Sequence, residues 1–436
     1  MSSLVVVTDT GVRTPLLQDL SPPVPHSDSG VREEEIVPLP SPNELDESKA
    51  NPTDPKQRLV SLDVFRGLTV ALMILVDDAG GAFPSINHSP WFGVTLADFV
   101  MPFFLFGVGV SVSLVFKKVS SKPAAIRKVM VRTVKLFLLG LVLNGGYFHG
   151  RNHLSYGVDV RQIRWMGVLQ RISIGYLFVS ILEIWLVNKV AVDSAVTFVQ
   201  KYVIQWVVAI LLGSLYMCLL YGLYVPDWAI EVTSMNLTSF ASGYGSGTQI
   251  VHCGVRGNLE PPCNAVGLID RFFLGEQHLY QHPVYRRTKE CSVNSPDYGP
   301  LPPNSPGWCL APFDPEGILS SLMAAITCFM GLHFGHIIVH YKVDVKHIRK
   351  PTMVLQWMGM NALVIYALAA CDLFPAALQG FYWRSPENNL VDGTESLLQA
   401  ILQSKKWGTL AFVLLEILFW GLVSGFLHMK RIYMRL

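Results

Sequence analysis

The chain has 436 residues, a formal net charge of +2, and 51% hydrophobic against 15% charged residues. Soluble domains carry nearer a quarter charged residues, and a near-neutral chain lacks the basic surface that a nucleic-acid partner requires. The apolar residues gather in runs of about 20, the length a helix needs to cross a hydrocarbon slab roughly 30 Å thick. The expected fold class is therefore an all-α integral membrane protein: a polytopic helical bundle of about eight spans with one long disulfide-containing luminal loop.

Residues 1–57 are rich in Pro, Ser, Asp and Glu with few aromatics, a composition that predicts a disordered cytosolic tail. They lack the order of a cleaved signal peptide. Spans are predicted at 64–82, 94–116, 129–147, 165–187 and 202–224, forming a first five-span block over 58–224. A luminal loop is expected over 225–316. Spans at 317–340, 352–374 and 408–428 complete a three-span block over 317–436.

Orientation follows from the short loops. Lys117, Lys118, Lys122, Arg127 and Lys128 follow span two; Lys342, Lys346, Arg349 and Lys350 follow span six; Lys430, Arg431 and Arg435 end the chain. By the positive-inside rule these segments and both termini are cytosolic. The loop between spans three and four runs mildly against this, with Arg151, Arg161 and Arg164. The long loop then faces the lumen. It holds Cys253, Cys263, Cys291 and Cys309, whose spacing is not that of a zinc site, so two disulfides are expected with their pairing open. It also carries the glycosylation sequon at Asn236.

Charged groups at membrane depth are costly and face protein interiors or wet cavities. Asp63 and Arg66 lie three apart on span one and can pair; Asp77 and Asp78 close that span beside Gly80 and Gly81. His88 sits in the short luminal connection that follows. Its imidazole titrates near neutrality and can serve as base or nucleophile toward an acyl group. Asp98 follows ten residues later and Asp77 precedes by eleven; either can orient the ring, and spacing does not choose between them. Lys128 and Arg132 recur on one face of span three, where they are able to hold phosphates. Arg171 in span four requires a partner. Metal-binding, phosphate-loop and nucleophile-elbow motifs are absent from the sequence.

Several stretches resemble the heparan-alpha-glucosaminide N-acetyltransferase family. They are Arg58 to Gly67 (RLVSLDVFRG), Asn87 to Asp98 (NHSPWFGVTLAD), Gly167 to Ile172 (GVLQRI) and Pro312 to Gly317 (PFDPEG). The resemblance covers about 58–436 and is to a plant-type member, without the large luminal N-terminal domain of animal forms. It implies acetyl transfer from cytosolic acetyl-CoA to the amine of a luminal glucosaminide or related amino sugar. It also implies a lysosomal, vacuolar or other endomembrane location and a possible homodimer. His88 matches the family's active-site histidine, and Asp77 stands where the lysosomal animal enzyme has a functional asparagine. The family carries two further spans between spans six and seven, which this chain lacks.

On this reading the expected catalytic residues are His88, Asp77 and Asp98. The expected coenzyme A contacts are Arg66, Lys128, Arg132 and Arg171, with no metal. Two other classes compete. One is a proton-coupled solute transporter using Asp63, Asp77, Asp98 and Arg171; the other is an inactive, shortened family member.

Overall fold

The computed structural model describes residues 60–116, 121–149, 155–158, 161, 163–187, 192, 194–232, 247–341, 352–385 and 387–433. The expected tail at 1–57, the sequon at Asn236 and the junction 342–351, where the two family spans are expected to be missing, lie outside them.

Seven of the eight predicted spans are single long helices. These are α1 (Val60–Ala79), α2 (Leu96–Val115), α3 (Lys122–Gly145), α4 (Val168–Leu186) and α5 (Ala195–Gly222). After α6 (Ala265–Leu274), which lies in the long loop, come α7 (Ile318–Tyr341), α8 (Met353–Met360), α9 (Ala362–Ala369) and α10 (Leu373–Gln379). The series ends with α11 (Leu390–Leu402) and α12 (Lys405–Met429). The protein is an all-α membrane protein. Among the described residues five helices (α2, α4, α5, α7 and α12) are long and apolar enough to cross a bilayer. The pair α9–α10, bent by 47°, makes a sixth if taken as one broken span.

The count differs from eight for identifiable reasons. α1 carries Asp63, Arg66, Asp77 and Asp78, and α3 carries Lys122, Arg127, Lys128, Arg132 and Lys135, so neither is apolar enough by itself. The seventh span breaks at Asn361 and again at Asp372, whose φ of 47° is left-handed and ends a helix. The sequence reading also missed α11. Its start is set by Asn389, which accepts from Asp392 N at 3.0 Å and donates to its carboxylate at 2.7 Å, a helix-capping arrangement.

Close approach of backbones builds the bundle. α1 crosses α8 where Gly67 and Gly359 face each other. A Cβ on Gly359 would lie 1.7 Å from the Asp63 carbonyl oxygen, and one on Gly67 would lie 1.8 Å from that of Leu355. Small residues at helix crossings serve this purpose in membranes, where burial of apolar surface gives little drive. The main contacts of α1 are with α8, α2 and α12, and α2 packs most extensively on α7. A second group joins α2, α4 and α7 around Leu105, Leu169, Val179 and Phe329. One polar cluster inside the bundle is paired: the Glu183 carboxylate accepts from Gln205 Nε2 at 2.8 Å and from His336 Nε2 at 3.1 Å.

The long loop is a folded cap. Strands β3 (Tyr224–Val225) and β6 (Val255–Arg256) pair antiparallel, as do β4 (Trp228–Val232) and β5 (Gly247–Val251); the earlier β1 (Gly146–His149) and β2 (Ser155–Val158) form a hairpin between α3 and α4. The four cysteines form Cys253–Cys263 and Cys291–Cys309, with Cα–Cα distances of 5.4 and 5.5 Å. Each bridge is local, closing loops of 10 and 18 residues.

Candidate active site

The segment between α1 and α2 is fixed from both sides. Within it, Thr95 Oγ1 donates to Asn87 O at 2.6 Å, and Ala97 N donates to Ile86 O at 3.2 Å. Gly93, with φ of 109°, supplies a left-handed turn that L side chains rarely adopt. From the cap, Arg287 donates to Asn87 Oδ1 at 3.1 Å. The Trp91 indole N–H donates to Leu259 O at 2.9 Å, and its ring packs edge-on against Phe313 and Tyr285. The disulfide Cys291–Cys309 lies in that same aromatic cluster. His88 is thereby held between a helix pair and a cross-linked cap.

Of the two carboxylates the spacing allowed, Asp98 is the one in contact. His88 Nδ1 donates to Asp98 Oδ1 at 2.7 Å. The other Asp98 oxygen accepts from Thr95 N at 2.9 Å and from Thr95 Oγ1 at 3.1 Å. Asp98 thus closes the first turn of α2 and orients the imidazole with the same carboxylate. With Nδ1 carrying the proton, Nε2 presents a lone pair. The His88 side chain is 49% exposed, so that lone pair is accessible. Asp77 is exposed at the end of α1 and lies in the electrostatic field of His88, Asp78, Asp372 and Glu316.

A second cluster anchors the cap to the bundle. Arg164 donates from Nε to Asp314 Oδ2 at 2.8 Å, and from Nη2 to Asp314 Oδ1 at 2.6 Å and Glu316 Oε2 at 2.8 Å. It also lies over the Tyr280 ring at 4.6 Å. Burial works against the cation, but the hydrogen bond to Asp314 and the charges of Glu316 and Asp314 outweigh it and raise the Arg164 pKa. Nearby, Asp270 accepts from Ile318 N at 2.9 Å at the start of α7. Burial, reinforced by Asp314, pushes its carboxyl up to about 7.

The four expected coenzyme A contacts are divided by the fold. Arg66 pairs with Asp63 at 3.3 Å and donates to Ser111 Oγ. Lys128 and Arg132 lie a turn apart on the exposed face of α3, with Arg132 over the Tyr176 ring at 5.0 Å. Arg171 belongs to the cap end: it donates to Pro315 O and Ser320 Oγ, both at 2.8 Å, and borders a cavity of about 160 Å³. Its partners explain it without a phosphate. The sequence assigns no site role to Arg164, Asp314, Glu316, Asp372 or Glu416, although Asp314 and Glu316 stand in the PFDPEG stretch. Glu416 had a signal, a lone acid within an apolar run; for the others only the three-dimensional contact reveals the relation.

The helices and the accessible imidazole–carboxylate pair define a multi-pass membrane protein with the elements of an acid–base site at one end of its bundle. Residues 58–227 match the family model described as "Heparan-alpha-glucosaminide N-acetyltransferase, catalytic". The heparan-alpha-glucosaminide N-acetyltransferase of Mus musculus is 29% identical over 333 residues, covering 73% of this chain and 44% of that protein. That of Homo sapiens is 29% identical over 303 residues, covering 67% and 40%. Residues 58–227 are thus similar to the catalytic region of the heparan-alpha-glucosaminide N-acetyltransferases, and the matches span less than half the length of these two relatives.

Proposed function

We propose that the protein transfers an acetyl group from cytosolic acetyl-CoA to the amine of a luminal amino sugar, with His88 as the base. The observation that carries this reading is the 2.7 Å hydrogen bond from His88 Nδ1 to Asp98, which leaves Nε2 accessible. The amine nitrogen attacks the thioester carbonyl carbon as Nε2 removes its proton. The C–N bond forms, the C–S bond breaks, and the coenzyme A thiolate leaves. The imidazolium so formed is stabilised by Asp98 and by the field of Asp77. Asp98 is a positioning residue, holding the tautomer that reacts.

Arg66, Lys128 and Arg132 hold the coenzyme A phosphates at the Lys/Arg-rich end of the bundle, where phosphate oxygens accept charge-assisted hydrogen bonds. The acyl arm passes between the helices toward His88. That end faces the cytosol, and the disulfide-bearing cap faces the lumen of a lysosome, vacuole or related endomembrane compartment, with the protein as a homodimer. The relatives' names specify a heparan glucosaminide; glucosamine, the shared amine-bearing unit, is the acceptor to test here. Purified protein given labelled acetyl-CoA and glucosamine should form N-acetylglucosamine, and His88→Ala should lower the rate at least 100-fold while coenzyme A still binds. Full transfer by His88→Ala, or label recovered on His88 after acid quench without acceptor, refutes His88 as base.

A further inference from the structure

The cavity of about 160 Å³ beside Arg171 is lined by four helices. Arg171 borders it from α4 and Tyr216 from α5, while Met101 and Leu105 of α2 and Met323 and Ala324 of α7 give it apolar walls. Its lining includes neither His88 and Asp98 nor Arg66, Lys128 and Arg132. It is therefore separate from the acyl-transfer site and from the proposed coenzyme A contacts.

Two side chains of this cavity carry donors that nothing accepts. Pro315 O and Ser320 Oγ take the N–H groups of Arg171 Nη2, both at 2.8 Å. Those contacts place the side chain, yet the N–H of Nε is buried without an acceptor and neither N–H of Nη1 has one. A guanidinium cannot escape this by losing its proton, since it stays charged in proteins. The charges of Glu316 and Asp314 act on Arg171 from a distance, but both carboxylates are bonded to Arg164. Among the described residues no carboxylate forms an ion pair with Arg171. The Tyr216 phenol likewise has no hydrogen-bond partner among the described residues. The other two hydroxyls are committed: Ser320 donates to Gly317 O and Thr327 to Met323 O, both at 3.0 Å. Polar groups left over in a packed interior mark a water, an ion or a ligand, and a cation at membrane depth calls for an anion.

We infer that this cavity binds a small carboxylate with a short apolar tail. Its oxygens accept from Arg171 and Tyr216, and its tail lies against Met101, Leu105, Met323 and Ala324. Hydrogen bonds between a guanidinium and a carboxylate are charge-assisted and stronger than neutral ones. The apolar walls favour an organic acid over a bare inorganic anion, which gains nothing from them. An apolar cavity of about 150 Å³ takes benzene, so this one suits about six non-hydrogen atoms, as in butyrate, and is too small for coenzyme A. The carboxylate comes either from solution as a short-chain acid or from the bilayer as the head of a fatty acid, whose longer tail leaves the cavity. Arg171 also holds Pro315, where the cap meets α7, so the occupant ties four helices to the cap. The inference stands apart from the acetyl-transfer proposal, because it uses none of the residues given a part in that reaction.

The test is thermal melting of the purified full chain with butyrate as probe and butyramide, its neutral isostere, as control. A ligand of the native state raises the melting temperature in a saturable way. Butyrate should do so and butyramide should not. Arg171→Gln should weaken butyrate binding at least 10-fold, and Tyr216→Phe, which removes one hydroxyl and keeps the ring, at least 3-fold. Where Arg171→Gln does not fold, Tyr216→Phe and the butyramide comparison decide. Dodecanoate that binds more tightly than butyrate, and with the same dependence on Tyr216, assigns the site to a bilayer fatty acid; butyrate as the tighter ligand assigns it to a soluble one. No shift with either acid, an equal shift with butyramide, unchanged binding in Tyr216→Phe, or displacement of butyrate by equimolar inorganic phosphate overturns the carboxylate site.

Discussion

Replacing Asp98 with Asn separates the orienting role of this carboxylate from its place in the fold. One carboxylate serves two partners: Oδ1 accepts from His88 Nδ1 at 2.7 Å, and Oδ2 accepts from Thr95 N at 2.9 Å. An amide has one acceptor oxygen and one donor nitrogen. The Thr95 N–H is a helix-start donor that needs an acceptor, so the Asn oxygen turns toward it. The Asn nitrogen then faces His88 Nδ1, which must accept, and the imidazole proton moves to Nε2. The nitrogen that should remove the amine proton is now protonated. Loss of correctly placed base catalysis costs about 10²- to 10⁴-fold, or about 3–5 kcal/mol in the barrier. The assay is labelled acetyl transfer to glucosamine by purified Asp98→Asn, alongside its melting temperature and coenzyme A affinity. The expected result is a rate at least 100-fold down with both controls near wild type. A variant that folds, binds coenzyme A and keeps more than a tenth of the activity refutes the proposed orientation.

Two further predictions concern the cap. Arg164→Met removes the partner of Asp314, a side chain with 0% exposure, and leaves that charge buried and uncompensated. The expected loss is about 3–5 kcal/mol of stability, read as a large fall in melting temperature; a fall equivalent to less than about 1 kcal/mol would show that the pair does not anchor the cap. Asp270 has a folded-state pKa of about 7 against an ordinary 3.8. The folded protein therefore binds its proton more tightly, and that contribution is complete below about pH 4 and lost as pH rises through 7. Asp270→Asn, which keeps the acceptor for Ile318 N and cannot ionise, should match wild type near pH 4 and melt higher at pH 8. Melting curves that stay parallel across this range would contradict the assignment.

Much of the membrane fold is legible along the chain, because a bilayer imposes a one-dimensional rule: a helix must stay apolar for about 20 residues. Every predicted span is helical, the seventh in pieces, and the four loop cysteines pair among themselves as expected. Composition also marks His88 as a group able to do chemistry, and the family motifs single it out. The limits of that rule appear where local chemistry competes with it. Asp372 takes a left-handed conformation and bends the seventh span, and the charges on α1 and α3 keep those helices from passing as spans on composition alone.

What the tertiary structure decided is which charges meet. Asp77 and Asp98 are nearly equidistant from His88 in sequence, yet Asp98 alone hydrogen-bonds the ring, because the first turn of α2 aims it there. Arg171 donates to Pro315 O at the end of the cap and to Ser320 Oγ at the start of α7, contacts that its basic character does not specify. Cys253 joins Cys263 and Cys291 joins Cys309, a choice among three pairings that the spacing left open. Hydropathy is a property of a segment and survives in sequence; an ion pair or a catalytic contact depends on a few ångströms between distant segments, and only packing sets those.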